Sequence, residues 1–179
     1  MSSHLILIWI QALLLLCNGL YVTPLGHSIM SRCPSREHIW FVHTSRTEGV
    51  GQSALCAIRS AYVLNPELQV HVVTRSGLMG AEKAWLRSNG CGHDRFFIEP
   101  LNLTSLLYDT PLRVLLPSFN KTASTLETGR YRHNNIANAV RVALLFKYGG
   151  AYLDLDMISV RPLRVLPCNC LGSQEVMTR

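Results

Sequence analysis

Short apolar runs alternate with helical patterns through residues 39–98 of the chain. Runs rich in β-branched and aromatic residues predict buried strands at Ile39–His43, Val70–Val73 and Phe96–Ile98. Between these runs, apolar residues spaced three and four positions apart predict helices at Ser53–Leu64 and Ala81–Ser88. This strand–helix–strand–helix–strand order predicts an α/β fold with a parallel sheet and right-handed crossovers.

The later part of the chain is mainly helical up to a double glycine. Leu101–Tyr108 predicts a short helix, and the polar stretch Leu112–Arg132 predicts a loop with room for one turn of helix. A strong helix follows, from His133 or Asn134 to Lys147, because its apolar residues keep the helical period. The double glycine ends this helix, and a short buried strand is predicted directly after it.

Two carboxylates in that last strand form the strongest candidate site. Side chains alternate along a strand, so Asp154 and Asp156 are expected to project from the same face. Two fixed carboxylates supply the hard oxygen ligands that Mn²⁺ or Mg²⁺ prefers, and such a metal keeps positions open for phosphate oxygens. The pattern predicts metal-assisted chemistry on a diphosphate. The alternatives are acids that are merely solvated, or a Lys or Arg partner in place of the metal.

An uncharged apolar segment occupies residues 5–22. Its 18 residues are long enough to span a bilayer as a helix, and the first Lys, Arg, Asp or Glu of the chain is Arg32. A retained signal anchor is favoured over a cleaved signal peptide, because no small-residue cleavage site is evident. This predicts a cytoplasmic tail over residues 1–4, a transmembrane helix over 5–22, a stem over 23–37 and a lumenal domain over 38–179.

Other features agree with a lumenal domain. The triplets that begin at Asn102 and Asn120 are glycosylation sequons and predict surface loops. Five of the six cysteines lie outside the apolar segment, and this odd number predicts disulfides with one thiol left over or paired elsewhere. The net charge of +6 comes from dispersed Lys and Arg without interleaved aromatics. It argues against a nucleic-acid partner and suits an anionic nucleotide or a membrane surface.

The segment Arg141–Asp156 resembles the R-x-x-x-L-x-x-x-G-G-x-Y-x-D-x-D pattern of sugar-binding-region glycosyltransferases that carry a DXD motif. Phe41–Ser45, Cys56–Val73 and Asp109–Leu112 are similar to the same family, so the resemblance covers residues 38–173. The family members that the chain resembles include lactosylceramide 4-alpha-galactosyltransferases and alpha-1,4-N-acetylglucosaminyltransferases. The resemblance implies a GT-A (Rossmann-like) fold, here its N-terminal donor-binding half, in a single-pass type II Golgi membrane protein with a lumenal catalytic domain.

The resemblance also implies an activity and a role for each site residue. Family members transfer galactose or N-acetylglucosamine from a UDP-sugar with retention at the anomeric carbon. Asp156 would bind Mn²⁺ (or Mg²⁺) at the diphosphate, and Asp154 would contact the ribose or sugar, or bind the metal through water. Thr44 and Ser45 would lie near the uridine. Arg141 would reach the donor sugar or phosphate, with a structural salt bridge to Asp154 as the alternative.

Further expectations concern the substrates that the family implies. The expected donor is UDP-galactose or UDP-N-acetylglucosamine. The expected acceptor is a glycosphingolipid such as lactosylceramide, glycosylated in an alpha-1,4 linkage at the membrane. No catalytic nucleophile or base can be named from these residues.

Two departures from the family pattern keep other functions open. Family members often have an acid three residues before the arginine, where this chain has Asn138, whose amide binds sugar hydroxyls but supplies no charge. The chain ends at Arg179, where the family continues, which suggests a truncated chain. Both departures favour, as the alternative, a non-catalytic lumenal protein that binds UDP-sugar and Mn²⁺. A Mg²⁺-dependent phosphoester hydrolase with His43 near the metal is a third possibility.

Overall fold

A four-stranded parallel sheet organises the part of the protein that the structure, a computed structural model, describes: residues 37–120 and 132–166. Its spatial order is β3-β2-β1-β4. The strands are β1 (His38–His43), β2 (Gln69–Thr74), β3 (Phe96–Pro100) and β4 (Ala151–Tyr152). All three pairings in the sheet are parallel, as the alternation of strands and helices predicts.

Helices connect the strands at the positions that the apolar periodicity predicts. The α-helices are α1 (Gln52–Leu64), α2 (Gly80–Ser88), α3 (Leu103–Tyr108), α4 (Leu116–Asn120) and α5 (Arg132–Tyr148). Short 3-10 turns lie at Pro111–Leu115 and Leu163–Val165. The segment expected to be mainly a loop from Leu112 is helical up to Asn120, and its remainder, residues 121–131, lies outside the described ranges.

The strand order contains a reversal that sequence reasoning did not specify. The chain moves from β1 to β2 and then to β3 in one direction, and it returns through α5 to place β4 on the opposite side of β1. Ile39 pairs with Ala151 and Trp40 with Tyr152. In open parallel sheets, ligands bind beyond the carboxyl ends of the strands where the direction of winding reverses. Here that point lies beyond β1 and β4.

The hydrophobic core lies between the sheet and the first two helices. Ile39, Phe41, Val70 and Val72 are completely buried, since alternate residues of β1 and β2 face the same side. Other members of this core come from α1, α2 and the segment after β4: Leu55, Ala57, Ile58, Ala61, Leu86 and Leu153. Helix α5 buries an apolar stripe of its own at the spacing expected for a helix: Ile136, Ala139, Val140, Ala143 and Leu144.

The turn into β4 depends on the double glycine. Gly149 and Gly150 have φ of 68° and 88°, a region that L side chains rarely adopt. A β-carbon at Gly150 would lie 2.4 Å from the carbonyl oxygen of His38. The indole N–H of Trp40 donates to the Gly149 carbonyl at 2.9 Å. The glycines therefore end α5 and allow β4 to approach β1 closely.

The prediction of one strand that carries both acids is wrong. Strand β4 ends at Tyr152, and the chain turns at Asp154, whose carbonyl accepts the N–H of Met157 at 3.0 Å. Met157, Ile158 and Val160, which would be covered if a buried strand continued past Asp156, are 48%, 60% and 82% exposed. A short apolar run does not by itself distinguish a strand from an irregular segment. Side-chain alternation along a strand therefore does not explain how these two carboxylates are arranged.

The predicted N-terminal segments lie outside the described residues, since the structure describes nothing before residue 37. Within residues 37–120 and 132–166, no helix is long and apolar enough to cross a membrane. Cys56 and Cys91 are free thiols, and Cys91 is buried. The remaining cysteines are outside the described ranges, so the disulfide prediction stays a prediction.

Candidate functional site

The candidate residues lie at one edge of the sheet, beyond the carboxyl ends of two adjacent strands. Thr44 and Ser45 directly follow β1, and Asp154 and Asp156 follow β4. The backbone N–H of Leu153 donates to the Trp40 carbonyl at 3.0 Å and continues the pairing of β4 with β1 by one bond. The chain then leaves the sheet. This is the position where the strand order predicts a ligand site.

Arg141, Tyr152 and Asp154 form a hydrogen-bonded cluster at this edge. Nη2 of Arg141 donates to Oδ1 of Asp154 at 2.8 Å and to the hydroxyl of Tyr152 at 3.2 Å. The Tyr152 hydroxyl donates to the same Oδ1 at 2.8 Å. The guanidinium carbon of Arg141 lies 4.1 Å from the centre of the Tyr152 ring. The salt bridge weighed as an alternative role for Arg141 is therefore present, and a hydroxyl reinforces it.

Tyr152 is protonated near neutral pH and acts as a hydrogen-bond donor in this cluster. Burial is the largest cause that raises the pKa of Tyr152 to about 12, and the hydrogen bond and charge of Asp154 act in the same direction against the opposing effect of Arg141. Near neutral pH the phenol therefore keeps its proton and directs it to Asp154. Sequence reasoning assigned no role to Tyr152, although its position in the resembling motif was visible.

One donor in this cluster has no partner. Nε of Arg141 is buried and makes no hydrogen bond to any residue that the structure describes. A buried unsatisfied donor costs about 1–3 kcal/mol. An oxygen of a bound phosphate or sugar would satisfy it, so the cluster has both a structural bond and a donor that remains for a ligand.

Asp156 differs from Asp154 in its surroundings. Its side chain is exposed, in the turn closed by the Asp154–Met157 hydrogen bond. Within the described ranges, no ion pair or hydrogen bond engages its carboxylate. Asp154, in contrast, has one oxygen held by Arg141 and Tyr152. Asp156 is therefore the carboxylate available to a cation.

The donor set fits a divalent metal shared with a substrate. Among the residues with described positions, no group of three or more His, Cys, Asp or Glu side chains could hold a metal ion. Mg²⁺ and similar ions commonly bind through one or two carboxylates plus substrate phosphates and water. Asp156, with Asp154 beside it, supplies carboxylate oxygens of the kind that Mn²⁺ and Mg²⁺ prefer. The protein atoms suit an ion that arrives with a diphosphate.

The loop that follows β1 is held in place by its own side chains and by the segment that follows β2. Thr44 is buried, at 6% exposure. The hydroxyls of Ser45 and Thr47 lie 2.6 Å apart, and the Ser45 carbonyl accepts the hydroxyl of Ser76 at 3.2 Å. The predicted contacts of Thr44 and Ser45 with a nucleotide stay predictions, but both residues lie at the correct edge of the sheet.

Glu82 fixes the far end of this loop, and sequence reasoning missed it. Its buried carboxylate accepts the backbone N–H groups of Val50 at 2.9 Å, Gly51 at 3.0 Å and Met79 at 3.0 Å. Burial raises the pKa of Glu82, but the three N–H donors and nearby His43 outweigh it, so the pKa lies below its usual value. The signal was its place as the third residue of α2, where an acid caps a helix.

Within the described ranges, no hydrogen bond joins the remaining predicted residues to the Arg141–Tyr152–Asp154 cluster. Asn138 is half-buried on α5, three residues before Arg141. Asn102 is exposed and caps α3, where its side chain accepts the N–H of Ser105 at 3.0 Å. Asn120 is the last residue of α4. Glycosylation at Asn102 and Asn120 stays a prediction.

Comparison with known proteins places this arrangement in context. Residues 51–178 match the family model described as glycosyltransferase sugar-binding region containing DXD motif. The rat lactosylceramide 4-alpha-galactosyltransferase is 37% identical over 160 residues, which cover 85% of this chain and 41% of the relative. The human alpha-1,4-N-acetylglucosaminyltransferase is 31% identical over 172 residues, which cover 84% of this chain and 48% of the relative.

A solved structure supports the fold. A chain described as PaToxG glycosyltransferase superimposes with a TM-score of 0.52 at 13% identity, over 88% of this chain and 52% of that chain. At this identity the likeness concerns the fold alone. In sequence, the chain spans less than half the length of the two relatives described above.

Proposed function

We propose that this chain, which belongs to the family of glycosyltransferases with a sugar-binding region containing a DXD motif, transfers a hexose from a UDP-sugar to a glycolipid. The proposed hexose is galactose, the linkage is alpha-1,4, and the anomeric configuration is retained. The named activities of the rat and human relatives, one a 4-alpha-galactosyltransferase and one an alpha-1,4-N-acetylglucosaminyltransferase, support a hexosyl donor and this linkage.

The observation that carries the proposal is the contrast between Asp154 and Asp156 at the reversal of strand order. Arg141 and Tyr152 hold Asp154 in one orientation, whereas Asp156 is exposed and lacks a protein partner among the described residues. An exposed carboxylate without a protein partner accepts a cation without giving up a protein contact. A held carboxylate beside an available one suits a site that orients a sugar nucleotide and accepts its metal.

Each residue has a distinct task in the proposed reaction. When bound, Mn²⁺ or Mg²⁺ supplies Lewis-acid neutralisation of the charge that develops on the diphosphate as the sugar departs. Asp156 holds the ion, and Asp154 orients the ribose or sugar hydroxyls. Arg141 adds positive charge near the leaving group, and its unpaired Nε provides a donor to a phosphate or sugar oxygen. Tyr152 keeps Asp154 in the orientation that this requires.

Retention does not demand a protein nucleophile in this site. In a front-face transfer, the acceptor hydroxyl attacks the anomeric carbon on the side from which UDP leaves, and the departing phosphate oxygen takes the acceptor proton. Arg141 would then stabilise the same phosphate as it gains charge. Thr44 and Ser45, beyond β1, are placed in the proposal beside the uridine.

The cellular setting is part of the proposal. The uncharged segment at residues 5–22 would anchor the chain in the Golgi membrane as a single-pass type II protein. The domain that carries Asp154 and Asp156 would then face the lumen, where UDP-sugars and glycosphingolipids such as lactosylceramide meet. Glycosylation at Asn102 and Asn120 would follow from that topology.

A transfer assay tests the proposal directly. The full chain is incubated with Mn²⁺, lactosylceramide and either UDP-galactose or UDP-N-acetylglucosamine, and the lipid product is analysed by NMR for linkage and anomeric configuration. We expect an alpha-1,4-linked galactosyl product that is absent with Asp156→Ala. Transfer of N-acetylglucosamine alone would contradict the donor assignment, and a β-linked product would contradict retention.

A second function is favoured by one observation, the amide of Asn138 one helical turn before Arg141. An amide supplies no charge where the family often has an acid, so the protein would bind UDP-sugar with Mn²⁺ but not transfer the sugar. The same assay separates the two functions if binding is measured beside turnover. Tight binding with no product, and product formation on Asn138→Asp, would establish this non-catalytic function.

A further inference from the structure

The segment that carries Asp156 is attached at its far end to helix α1. After β4 the chain passes Asp154 and Asp156 and then reaches Ser60 and Asn65, near the C-terminus of α1. The backbone N–H of Ser159 donates to the Ser60 hydroxyl at 2.9 Å. The backbone N–H of Leu163 donates to the side-chain oxygen of Asn65 at 2.7 Å. Both bonds join residues almost 100 positions apart in sequence.

Asn65 is built into the core as a fixed acceptor. It is completely buried, and its side-chain N–H donates to the Ala61 carbonyl at 2.8 Å. Its own backbone carbonyl accepts Nη1 of Arg95 at 3.1 Å. With its nitrogen and its backbone both engaged, the side-chain oxygen has one orientation, and that orientation meets Leu163. A buried amide that is hydrogen-bonded at both its nitrogen and its oxygen is held in one orientation.

Ser60 provides the second attachment in the same way. Its hydroxyl donates to the Ala57 carbonyl one turn earlier on α1, at 2.7 Å. This bond sets the rotamer, so that a lone pair of the oxygen is available to the N–H of Ser159. The Ser60 hydroxyl therefore links the backbone of α1 to the segment after β4 through two hydrogen bonds.

Between β4 and these attachments, Asp154 is held by Arg141 and Tyr152, and Leu155 packs against the hydrophobic core. Few contacts restrain the next residues, 156–158. Leu153 is fixed by burial and by its bond to Trp40, and the Asp154–Met157 turn follows. Met157 and Ile158 are 48% and 60% exposed, so they add little packing. Asp156 thus begins a short span that is held at Asp154 and Leu155 on one side and at Ser60 of α1 on the other.

We propose that Ser60 and Asn65 are positioning residues for Asp156. Without the bond at Ser159, residues 156–158 would sample more conformations, and a bound ion would have to order them at an entropic cost. With the end fixed, the Asp156 carboxylate is presented in one place before the ion and the diphosphate arrive. Outer residues that orient a metal ligand commonly change metal affinity when they are removed. The inference rests on the metal role proposed for Asp156.

The test uses Ser60, because replacing the fully buried Asn65 would disturb folding as well as position. Ser60→Ala removes the acceptor for Ser159, and Ser60→Thr keeps it. Ser88→Ala is the matched control, since the Ser88 hydroxyl also donates to the carbonyl three residues earlier on its helix, at 3.0 Å, but makes no bond to this segment. UDP affinity is measured by calorimetry with and without Mn²⁺, and backbone hydrogen exchange of residues 155–163 is measured in the metal-free protein.

We expect Ser60→Ala to weaken Mn²⁺-dependent UDP binding by roughly three- to tenfold, the loss of one net hydrogen bond. Exchange at Ser159 in the metal-free protein should accelerate by a similar factor, and Ser60→Thr should restore both values. Ser88→Ala should change neither. Equal UDP affinities for wild type and Ser60→Ala, or faster exchange at Ser159 without any change in affinity, would overturn the inference.

The design separates this inference from the function on which it rests. If wild-type protein shows no Mn²⁺-dependent UDP binding, the proposed function fails, and the positioning role fails with it. If wild type binds UDP with Mn²⁺ and Ser60→Ala binds it equally well, only the positioning role is wrong. A fall in melting temperature for Ser60→Ala without recovery in Ser60→Thr would also count against positioning, because it would indicate a general loss of structure.

Discussion

Arg141 on helix α5 and Asp154 beyond strand β4 are joined by a 2.8 Å hydrogen-bonded ion pair. Arg141 precedes the double glycine in sequence and Asp154 follows it. Helix α5 therefore sets the orientation of a carboxylate that lies beyond its own C-terminus. Both side chains are partly exposed, at 34% and 49%. An ion pair with this exposure contributes only about 0–1 kcal/mol to folding. The pair therefore serves mainly to orient the Asp154 carboxylate.

Arg141→Lys should separate that geometry from charge. A lysine keeps the charge but cannot donate from one planar group to Asp154 and Tyr152 while it lies over the Tyr152 ring. We expect UDP-sugar affinity in the presence of Mn²⁺ to fall at least about tenfold. The free energy of unfolding should change by less than about 1 kcal/mol. Calorimetric titration and urea unfolding measure the two quantities.

The matched control for this substitution is Arg113→Lys. The guanidinium carbon of Arg113 lies 4.3 Å from the centre of the Tyr108 ring, a similar stacking contact on an exposed surface. This control should leave UDP affinity unchanged. Unchanged affinity in Arg141→Lys would show instead that the planar guanidinium is not needed and would remove Arg141 from the donor site.

Gly150→Ala should destabilise the protein strongly, because two effects coincide there. The φ of 88° is unfavourable for alanine, and the added carbon would lie 2.4 Å from the His38 carbonyl oxygen. Gly77→Ala has the first effect alone, with a φ of 84° and open space around the new carbon. We expect losses of about 1–2 kcal/mol at Gly77 and at least about 3 kcal/mol at Gly150.

Urea unfolding of both variants measures this difference. Since Gly150 sets how closely β4 approaches β1, the Gly150→Ala variant should also lose Mn²⁺-dependent UDP binding under conditions where it remains folded. Similar losses of stability at Gly77 and Gly150 would contradict the close approach of the two strands.

Glu82 should make stability depend on pH in the acidic range. Its pKa in the folded protein lies below the usual value of 4.5, because the three backbone donors and His43 outweigh burial. A carboxyl with a lowered folded pKa stabilises the protein above the unfolded pKa, and this contribution is lost as pH falls through the folded pKa. At pH 7, Glu82→Gln should cost about 1–3 kcal/mol, since an uncharged amide replaces an ionised acceptor.

Thermal unfolding of wild type and Glu82→Gln across pH 3–7 tests this expectation. The difference between the two proteins should shrink as pH falls below about 4.5. Glu67→Gln, an exposed residue in the turn between α1 and β2, serves as the control and should follow the wild-type profile. A difference that stays constant from pH 7 to pH 3 would mean that ionisation of Glu82 does not stabilise the fold.

The fold was predictable where the signals were local. The apolar runs at β1, β2 and β3 and the periodic helices between them gave elements within about two residues of those observed. Glycines at 149 and 150 correctly marked the end of α5. In each of these places, the residue pattern and the backbone preference indicate the same structure.

The parts that sequence could not supply depend on contacts between distant residues. The pairing of β4 with β1 joins positions more than 100 residues apart, and no local pattern specifies it. Nor does a local pattern specify the early end of β4, the exposure of Met157 and Ile158, or the bond from Ser159 to α1. Ser60 had no signal that distinguished it from an ordinary helix residue, whereas the cap position of Glu82 and the motif position of Tyr152 were visible without indicating their partners. Asp154 and Asp156 were found because their motif is continuous in sequence.

The most direct test of the donor site is calorimetric binding of UDP with and without Mn²⁺ to wild type, Asp156→Ala and the control Glu67→Ala. We predict that wild type and the Glu67→Ala control bind UDP tightly and that this binding requires Mn²⁺. Asp156→Ala should lose the binding while its melting temperature stays unchanged. Absence of binding to folded wild-type protein, or equal binding to Asp156→Ala, would contradict the assignment of this site.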